Sequence, residues 1–509
     1  MKSLAILIDF GSTFTKVTAV NLLHSQMIAR GQAPSTVLTD VREGLLQALI
    51  SLHRGCGLFK SPPEDLTVLD GKVVLASSSA AGGLRIAVIG LVPGLTVEAA
   101  NQAALGAGAK VVGSTAFKLT GNAIQTIKDL RPDIILLTGG TDGGDFGTIV
   151  HNARVLAQSS LSMPIVVAGN KAAAGEVCQL LKSRGKEVRL ADNVMPRSGT
   201  LTVESAREEI RRLFMERITH AKGLDRIEEF VPVVLPTPMA VLQGIQLGAD
   251  GLTTETGSES EKGWGEMLVV DVGGATTDVH SIGHGHPAGE HVIDRGLAEP
   301  YAKRTVEGDL GIRFNAETIL ARVGLKRLAG SVRADFPDHP VSDDNFRDYI
   351  GQISHCTESV PVAGWHAAAD AVLARAAVDL AVERHVGRRE RIVAREGEAW
   401  VHYGKDLRET PIVIGTGGVF VHNPFAAYIL SQPALSDAAL QPLRPKNPKA
   451  FLDSSYLLYA VGLLARDYPE VGLQIFKSCI KPVAQYPDTK VPNFRPETTC
   501  SEVTRSWSL

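Results

Sequence analysis

One local pattern occurs twice in this chain: an apolar strand that ends in an aspartate and runs into a glycine-containing turn. The first copy covers residues 4–9, ends in Asp9, and continues through Gly11 into a second strand at residues 16–20. The second copy covers residues 266–271, ends in Asp271, and continues through Gly273 and Gly274. Short apolar runs bounded by glycine and polar residues are typical of buried strands, so each copy predicts a β-hairpin with a polar tip. The repeat predicts two halves that begin in the same way.

A different pattern separates the two copies, because strands and helices alternate strictly from about residue 83 onward. The predicted strands cover residues 85–91, 110–112, 133–138, 164–169 and 187–191, with helices beginning near residues 96, 120, 145 and 171 and a closing helix at 204–218. Five strands with four intervening helices predict a doubly wound parallel sheet. The sequence therefore predicts an α/β protein with an inserted parallel domain.

The charge balance argues against a nucleic-acid or membrane partner. Across 509 residues the chain has 52 Lys and Arg against 55 Asp and Glu, a formal net charge of −3. No basic excess is present to attract phosphate backbones or anionic lipids. The apolar run that ends at Asp9 is too short for a signal peptide, and no run approaches the roughly 20 residues that span a bilayer. We therefore expect a cytoplasmic protein.

The two polar tips have chemistry suited to phosphate if they face one another across a cleft. Successive backbone N–H groups and hydroxyls can surround phosphate oxygens, and glycines allow the close approach. A carboxylate at each strand end, Asp9 and Asp271, can hold a hydrated Mg²⁺ that bridges phosphate oxygens. Lys16 can reach the same charge from one side. Each tip alone is a weak signal, since similar tripeptides occur in ordinary turns.

The order of the motifs is more specific than any one of them. The chain reads D-x-G-S-x-x-x-K at residues 9–16, a P-x-A helix at residue 238, D-x-G-G-x-T-x-D at residues 271–278, and a strand into G-x-G-G at residues 415–418. This series resembles the nucleotide-binding motifs of the actin, Hsp70 and sugar kinase superfamily. An apolar helix at residues 454–466 occupies the position of the second connecting helix.

The resemblance implies two ribonuclease H-like domains, with ATP or ADP and Mg²⁺ between them and cleft closure linked to the nucleotide. By position, Asp9 and Asp271 become the catalytic acids on the metal side. Asp278 belongs to the second tip but could also only cap the turn. The residues implied to contact nucleotide are Gly11, Ser12, Thr13 and Lys16 on one side, Gly273, Gly274, Thr276 and Asp278 on the other, and Gly415, Gly417 and Gly418 at the adenosine.

One departure from the superfamily pattern concerns catalysis. In the chaperone branch a carboxylate precedes the connecting-helix proline and orients the attacking water, whereas this chain has Thr237 there. A positioned general base is worth roughly 10²- to 10⁴-fold in rate. We therefore expect at most a slow Mg²⁺-dependent ATPase.

Longer strings resemble a narrower family, the glutamate mutase accessory family often called MutL. They are ASSSAAGGLRIAVIGLVPGLTVEAANQAALGAGAKVV, DIILLTGGTDGGD, VVAGNKAAAGEV, NVMP, VVDVGGATTDVHS and RTVEGDLGIR. The similarity covers residues 3–465. It implies a reactivating or chaperone-like factor whose protein partner is an adenosylcobalamin-dependent mutase, and it leaves a homodimer open.

The predicted inserted domain resembles the cobalamin-binding module of such mutases in its flavodoxin-like strand order. Its loops at residues 138–144 and 168–170 fall where such modules carry theirs, at the carboxyl edge of the sheet. The chain lacks the Asp-x-His-x-x-Gly motif that supplies the cobalt ligand, since the first loop reads GLVPG at residues 90–94. Our hypothesis is that the insertion imitates the small cobalamin-binding subunit of the mutase.

The implied organisation has six segments. They are residues 1–71 as the first part of actin-like domain I, 72–230 as the inserted flavodoxin-like domain, 231–262 as the remainder of domain I, 263–450 as actin-like domain II, 451–480 as the second connecting-helix region, and 481–509 as a proline-rich tail. Two other functions stay open: a small-molecule kinase of the same superfamily, and a non-catalytic nucleotide-bound scaffold.

Two further patterns have ordinary interpretations. His280, His284, His286 and His291 could bind zinc, but their glycine-rich surroundings favour a surface turn. The charged residues of RTVEGDLGIR, from Arg304 to Arg313, could close across a nucleotide or belong to a solvated helix.

Overall fold

The computed structural model describes residues 3–11, 14–36, 40–79, 84–221, 230–253, 259–286, 292–361, 363–394, 397–430 and 441–483. Helices and sheets alternate through these ranges, which confirms the α/β class. Within them, no helix is both long and apolar enough to cross a membrane.

The first sheet is built around the first acid-ended strand. Its order is β10-β4-β1-β2-β3, in which β1, β2 and β3 are antiparallel and β4 and β10 run parallel to β1. Asp40 caps the helix α1 that follows β3, since its side chain accepts a hydrogen bond from the N–H of Arg42. The strands are β1 (Leu4–Phe10), β2 (Phe14–Asn21), β3 (Gln26–Pro34), β4 (Val73–Ser78) and β10 (Val233–Pro236), and α1 is Val41–Cys56.

The inserted sheet has the order β6-β5-β7-β8-β9, with all its pairings parallel, which confirms the predicted five-stranded parallel sheet. The predicted range of this unit, residues 72–230, includes Val73–Ser78. That strand instead pairs with β1 in the first sheet. Its parallel partner is distant in sequence, so no local signal identifies it. The elements are β5 (Arg85–Gly90), α2 (Glu98–Gly106), β6 (Lys110–Ala116), α3 (Gly121–Asp129), β7 (Ile134–Leu137), α4 (Gly147–Gln158), β8 (Ile165–Val167), α5 (Lys171–Lys182), β9 (Val188–Leu190) and α6 (Glu204–Ala221).

The second acid-ended strand lies at the centre of another sheet with the same internal order as the first. That order is β16-β14-β13-β19-β21-β22, with β13, β14 and β16 antiparallel and β19 and β21 parallel to β13. Both predicted hairpins are therefore confirmed. The strands are β13 (Met267–Val272), β14 (Thr277–Ile282), β16 (Ala302–Glu307), β19 (Ile412–Thr416), β21 (Lys449–Asp453) and β22 (Ile480–Pro482).

The remaining elements surround these sheets. Two small sheets pair β11 with β12, and β15 with β18, β17 and β20. Their strands are β11 (Gly251–Thr253), β12 (Glu259–Lys262), β15 (Val292–Arg295), β17 (Arg388–Ala394), β18 (Gly397–Tyr403) and β20 (Gln441–Pro442). The helices are α7 (Thr237–Asp250), α8 (Ala316–Val323), α9 (Leu325–Asp335), α10 (Asp343–His355), α11 (Gly364–His385), α12 (Gly418–His422), α13 (Ala426–Leu430), α14 (Leu458–Leu464) and α15 (Pro469–Cys479).

Helices α7 and α14 join the two acid-ended sheets through one shared core. Buried residues from β1, α7, β13 and α14 belong to the same apolar cluster, among them Leu7, Ile245, Val269 and Val461. The two helices approach closely because glycines face the partner backbone. A Cβ at Gly462 would overlap the carbonyl oxygen of Ala240, and one at Gly244 would overlap that of Leu458. The relative position of the two sheets thus depends on this helix pair.

The buried Lys405, which follows β18, leads to a prediction about how the stability of the protein depends on pH. The ammonium of Lys405 donates to the carbonyl oxygens of Tyr301 (2.7 Å) and Pro300 (3.0 Å), and its burial lowers its pKa from 10.5 to about 7. Between these two pH values the unfolded chain keeps a proton that the folded chain has lost, so this group makes stability rise with pH. The contribution is about 1.4 kcal/mol per pH unit.

The free energy of unfolding of wild type should rise between about pH 7 and pH 10.5 because of Lys405. We expect Lys405→Met to show a smaller rise over the same pH range. Urea denaturation of wild type and variant across this range measures the difference. Lys446→Met, which removes a half-exposed lysine paired with Glu409, is the matched control and should leave the rise unchanged. An equal pH dependence in Lys405→Met and wild type would contradict the prediction.

Candidate functional site at the ends of two central strands

Asp9 ends β1 in a buried position with three hydrogen-bonding partners. Its Oδ1 accepts from the hydroxyls of Thr237 (2.6 Å) and Ser77 (3.3 Å), and its Oδ2 accepts from Lys16 Nζ at 3.4 Å. These partners come from α7, β4 and β2, because Asp9 lies opposite Lys16 and beside Ser77 in the sheet register. Four elements therefore converge at the end of β1.

Asp271 occupies the corresponding position at the end of β13. It lies opposite Asp278 on β14 and beside Thr416 on β19. Burial raises the pKa of Asp271 to about 7, and three nearby carboxylates add to the rise while Lys16 opposes it. The three carboxylates are Asp278, Asp453 and Asp9. The site therefore concentrates negative charge, which a bound cation would stabilise.

Lys16 links the two strand ends. It pairs with Asp9, and its charge lowers the pKa of Asp271, so one cation acts on the acids of both strands. Its Nζ lies 3.5 Å from the ring centroid of Tyr456, a cation–π contact. Tyr456 has φ of 49°, a conformation that costs energy in a bulky residue and often occurs at functional sites. The ordered loop that carries Tyr456 thus holds the lysine beside Asp9.

Asp453 supports the Tyr456 loop from the end of β21. Its fully buried carboxylate accepts from Thr416 Oγ1 (3.0 Å) and from the N–H groups of Leu457 (2.7 Å) and Leu458 (3.1 Å). Burial raises its pKa. Because α14 begins at Leu458, this carboxylate joins the second sheet to the start of that helix.

The glycines at the tips allow tight turns and close approach. The N–H of Gly11 donates to Phe14 (3.1 Å), and that of Gly273 donates to Thr276 (2.9 Å). Gly417 has φ of 106°, and a Cβ there would lie 2.8 Å from Asp271 Oδ1. The third glycine motif therefore lies directly beside the second acid.

The other predicted nucleotide contacts have different surroundings. A Cβ at Gly415 would lie 2.7 Å from the Phe420 ring, whereas Gly418, the first residue of α12, has open space in that direction. The carbonyl oxygen of Gly274 accepts from the N–H of Arg313 (2.9 Å). Ser12 and Thr13 lie outside the described residues.

Asp278 does more than cap a turn. Its Oδ1 accepts from Arg304 Nε (3.0 Å) and Nη2 (2.6 Å), and its Oδ2 accepts from Thr276 Oγ1 (3.0 Å). Arg304 also donates to the carbonyl oxygens of Leu105 (3.3 Å) and Ala109 (3.2 Å) near the end of α2. Because Arg304 lies on β16, the solvated-helix interpretation of this segment is wrong. The second tip is thereby connected to the inserted sheet's unit.

The histidine segment has no metal-binding geometry among the described residues. Within those ranges, no three His, Cys, Asp or Glu side chains converge to hold a metal ion. His280 is fully buried, so the surface-turn interpretation fails there, and burial lowers its pKa to about 3. His284 and His286 stack on each other. His291 lies outside the described residues.

Ser77, Asp453 and Tyr456 take part in the site although no motif identified them, whereas Arg304 lies in the RTVEGDLGIR segment that the sequence offers as a possible nucleotide contact. Ser77 and Asp453 do carry a usable signal, because each is a polar residue at the carboxyl end of a strand parallel to the central one. Ligand-binding residues of parallel sheets concentrate at such ends. Tyr456 carries no comparable signal, since its role depends on a contact with Lys16 from a distant element.

The residues present fit a magnesium nucleotide. Asp9 and Asp271 supply two carboxylates, which suits Mg²⁺ because that ion keeps several waters and binds substrate phosphates rather than a full set of protein ligands. The glycine turns supply backbone N–H groups and Lys16 supplies a cation for phosphate. The charge concentrated around Asp271 is of the sign that would favour a metal ion.

Comparison with known proteins identifies a matching family and several solved structures of low similarity. The profile of the family described as MutL protein matches residues 5–480. "Protein MutL" of Clostridium tetanomorphum is 41% identical over 479 residues, covering 93% of this chain and 98% of the relative.

The likenesses to solved structures are weak. A nucleotide-free acetone carboxylase is 13% identical with a TM-score of 0.36, over 91% of this chain and 70% of its own. Gluconate kinase from Lactobacillus acidophilus is 10% identical with a TM-score of 0.31, over 94% of this chain and 92% of its own. Scores of this size carry no argument about fold or activity.

Proposed function

The chain belongs to the MutL protein family, and from this membership and the site geometry we propose that it is an ATP-binding accessory factor for an adenosylcobalamin-dependent mutase. Nucleotide-gated closure with slow hydrolysis would release damaged cofactor from the partner. The observation that carries the proposal is the meeting of Asp9 and Asp271 around Lys16. Two acid-ended strands distant in sequence would then contribute to one glycine-lined site.

The proposed architecture is two ribonuclease H-like domains with a flavodoxin-like insertion that begins after β4. Each acid-ended sheet has three antiparallel strands followed by parallel ones, and the inserted sheet has the order 2-1-3-4-5 in its own numbering. The insertion would end near residue 230, before β10 completes the first sheet. The second half would run from residue 263 to about 450, followed by the α14 and α15 region and the tail.

In this arrangement each residue has a distinct task. Asp9 and Asp271 would hold Mg²⁺, which supplies charge neutralisation to the phosphates when bound. Lys16 and the backbone of the glycine turns would bind and orient the phosphate oxygens, and Gly417 would leave room beside Asp271. Thr237 donates its hydroxyl proton to Asp9 and offers no carboxylate to orient water. Slow turnover follows, as the sequence predicts.

Closure would be transmitted through the core shared by the two sheets. A nucleotide shifts open and closed forms only by its difference in affinity for them. Since Lys16 belongs to one sheet and Asp271 to the other, phosphate contacts made from both sides would exist only in the closed form. A coupling of about 1–3 kcal/mol would be enough for nucleotide-gated release.

The carboxyl edge of the inserted sheet is the proposed docking surface for the mutase. Phe117 and Phe146 are exposed there, and Phe117 is 60% exposed with φ of 68°. The loop polar groups are bonded to one another, since Asn170 Nδ2 donates to Asp145 (3.1 Å) and Asn193 Nδ2 donates to Gly140 (3.0 Å). An edge with apolar groups outward and polar groups satisfied suits a protein partner.

We expect ATP turnover to be slow alone and to rise several-fold with an adenosylcobalamin-dependent mutase. Turnover is measured with the mutase, with the mutase's substrate alone, and with neither. Phe117→Asp should weaken the complex with the mutase, because it places a charge in an apolar interface. Leu23→Asp, at an exposed leucine in the turn of the first sheet, is the matched control.

Three outcomes would contradict the proposal. Stimulation by a metabolite without the mutase would favour a kinase, and neither stimulation nor a complex in any nucleotide state would favour a scaffold. Equal loss of binding in Phe117→Asp and Leu23→Asp would contradict the docking surface.

A further inference from the structure

A cavity of about 140 Å³ lies between the inserted sheet's helices and the edge strand of the second acid-ended sheet. Four cationic side chains line it against one carboxylate, Glu98. The cations are Arg207 from α6, Lys303 and Arg304 from β16, and Arg384 from α11. Among the described residues of its lining, positive charge therefore prevails over negative.

The carboxylate partners of these cations are themselves not in the cavity lining. Arg207 pairs with the exposed Glu204 (2.6 Å), Lys303 with Glu299 (3.0 Å), and Arg384 with Asp309 (2.8 Å). Salt bridges of this kind leave further N–H groups of each guanidinium able to donate elsewhere.

Arg207 carries an unsatisfied donor at this cavity. Its Nε is buried and has no hydrogen-bond partner among the described residues. The guanidinium packs on Gly106, where a Cβ would lie 2.6 Å from Cζ. A buried donor without a partner is destabilising, and a ligand that accepted a hydrogen bond from it would remove that cost.

We propose that this cavity binds a small phosphate-class oxyanion. One water needs roughly 10–15 Å³ of such space, so 140 Å³ accommodates one tetrahedral anion with some waters. Arginine forks match phosphate oxygens, and lysine adds a point charge. The anion would supply the acceptor that Arg207 Nε lacks. Inorganic phosphate fits the volume, and a phosphorylated metabolite would place only its phosphate group there.

The site would be coupled to the second tip through Arg304. That residue lines the cavity, bonds Asp278 with two nitrogens and contacts the end of α2. An anion that binds Arg304 would change the charge balance around Asp278, which lies opposite Asp271 in the β13–β14 register. By linkage, anion and nucleotide would alter each other's affinity by the same factor.

The test is calorimetric titration of the full chain with inorganic phosphate, without nucleotide or Mg²⁺, and in parallel with glycerol 3-phosphate. Arg207→Met should weaken binding about tenfold or more, because it removes a charged donor. Arg212→Met is the matched control on the same helix, since Arg212 is 56% exposed and pairs with Glu209. Lys16→Met, which alters the nucleotide site, should retain the phosphate binding that Arg207→Met loses.

Tighter binding of inorganic phosphate would identify the free anion as the ligand, and tighter binding of glycerol 3-phosphate would identify a phosphorylated metabolite. Either result supports the site if Arg207→Met loses that binding. Should Arg207→Met fail to fold by circular dichroism, Lys303→Met is judged by the same criterion. The proposal is overturned if wild type binds neither probe, if the cavity variant binds as wild type does, or if only Lys16→Met loses binding. Asp271→Asn should keep phosphate binding, so failure of the nucleotide site is distinguishable.

Discussion

Asp271→Asn is expected to weaken Mg-ATP binding at least about 100-fold, or roughly 3 kcal/mol, while the fold stays intact. The carboxylate lies at the end of β13 among other acids and beside Gly417. Without bound cation those charges repel, so the asparagine should unfold at an equal or higher temperature than wild type. A functional site whose clustered charges destabilise the fold should lose ligand affinity, but not stability, when one of those charges is removed.

The measurement is a fluorescence titration with an ATP analogue, with and without Mg²⁺. Asp9→Asn should weaken binding similarly without a gain in stability, since Asp9 accepts a hydrogen bond from Thr237 and is paired with Lys16. Asp344→Asn, at a carboxylate 87% exposed on α10, is the control and should bind normally. Undiminished Mg²⁺-dependent binding in both site variants would contradict the assignment.

Gly462→Ala is expected to destabilise the protein by about 3 kcal/mol or more, a large effect for one methyl group. The added Cβ would overlap the carbonyl oxygen of Ala240 on α7, and backbone cannot move aside as a flexible side chain can. Helices α7 and α14 would have to separate. Because both helices pack between the two acid-ended sheets, the strand ends that carry Asp9 and Asp271 would also shift.

Urea denaturation followed by tryptophan fluorescence measures this effect, because Trp264 packs on Phe451 and Phe476 in the same apolar cluster. Gly330→Ala is the matched control. Gly330 lies within α9 with open space at its Cβ position, so alanine there should gain up to about 1 kcal/mol. Similar midpoints for the two variants would refute the proposed role of the helix crossing.

The local elements followed from short-range patterns. Apolar runs ending in acids predicted the hairpins β1–β2 and β13–β14, and alternation predicted the parallel sheet of the insertion. Each of these depends on residues within a few positions of one another, which is why sequence periodicity reports them.

The sequence places β4 in the wrong unit and leaves the role of Arg304 open, for one shared reason. Val73–Ser78 joins the first sheet through β1, and Arg304 acts through Asp278 and the end of α2. Both depend on partners distant in the chain, and tertiary contacts override local pattern at such positions. The same limit applies to Tyr456, whose contact with Lys16 joins opposite ends of the sequence.

The sequence by itself determined the two acid-ended hairpins and the parallel insertion, because these depend on local spacing. It also determined the family, because several of its strings resemble those of family members. Only the tertiary structure decided that Asp9 and Asp271 share Lys16, and that Arg304 joins the second tip to the insertion. The physical reason is that these contacts require α7 and α14 to pack between the two sheets. That packing depends on glycines and apolar residues from widely separated segments, and no local pattern encodes it.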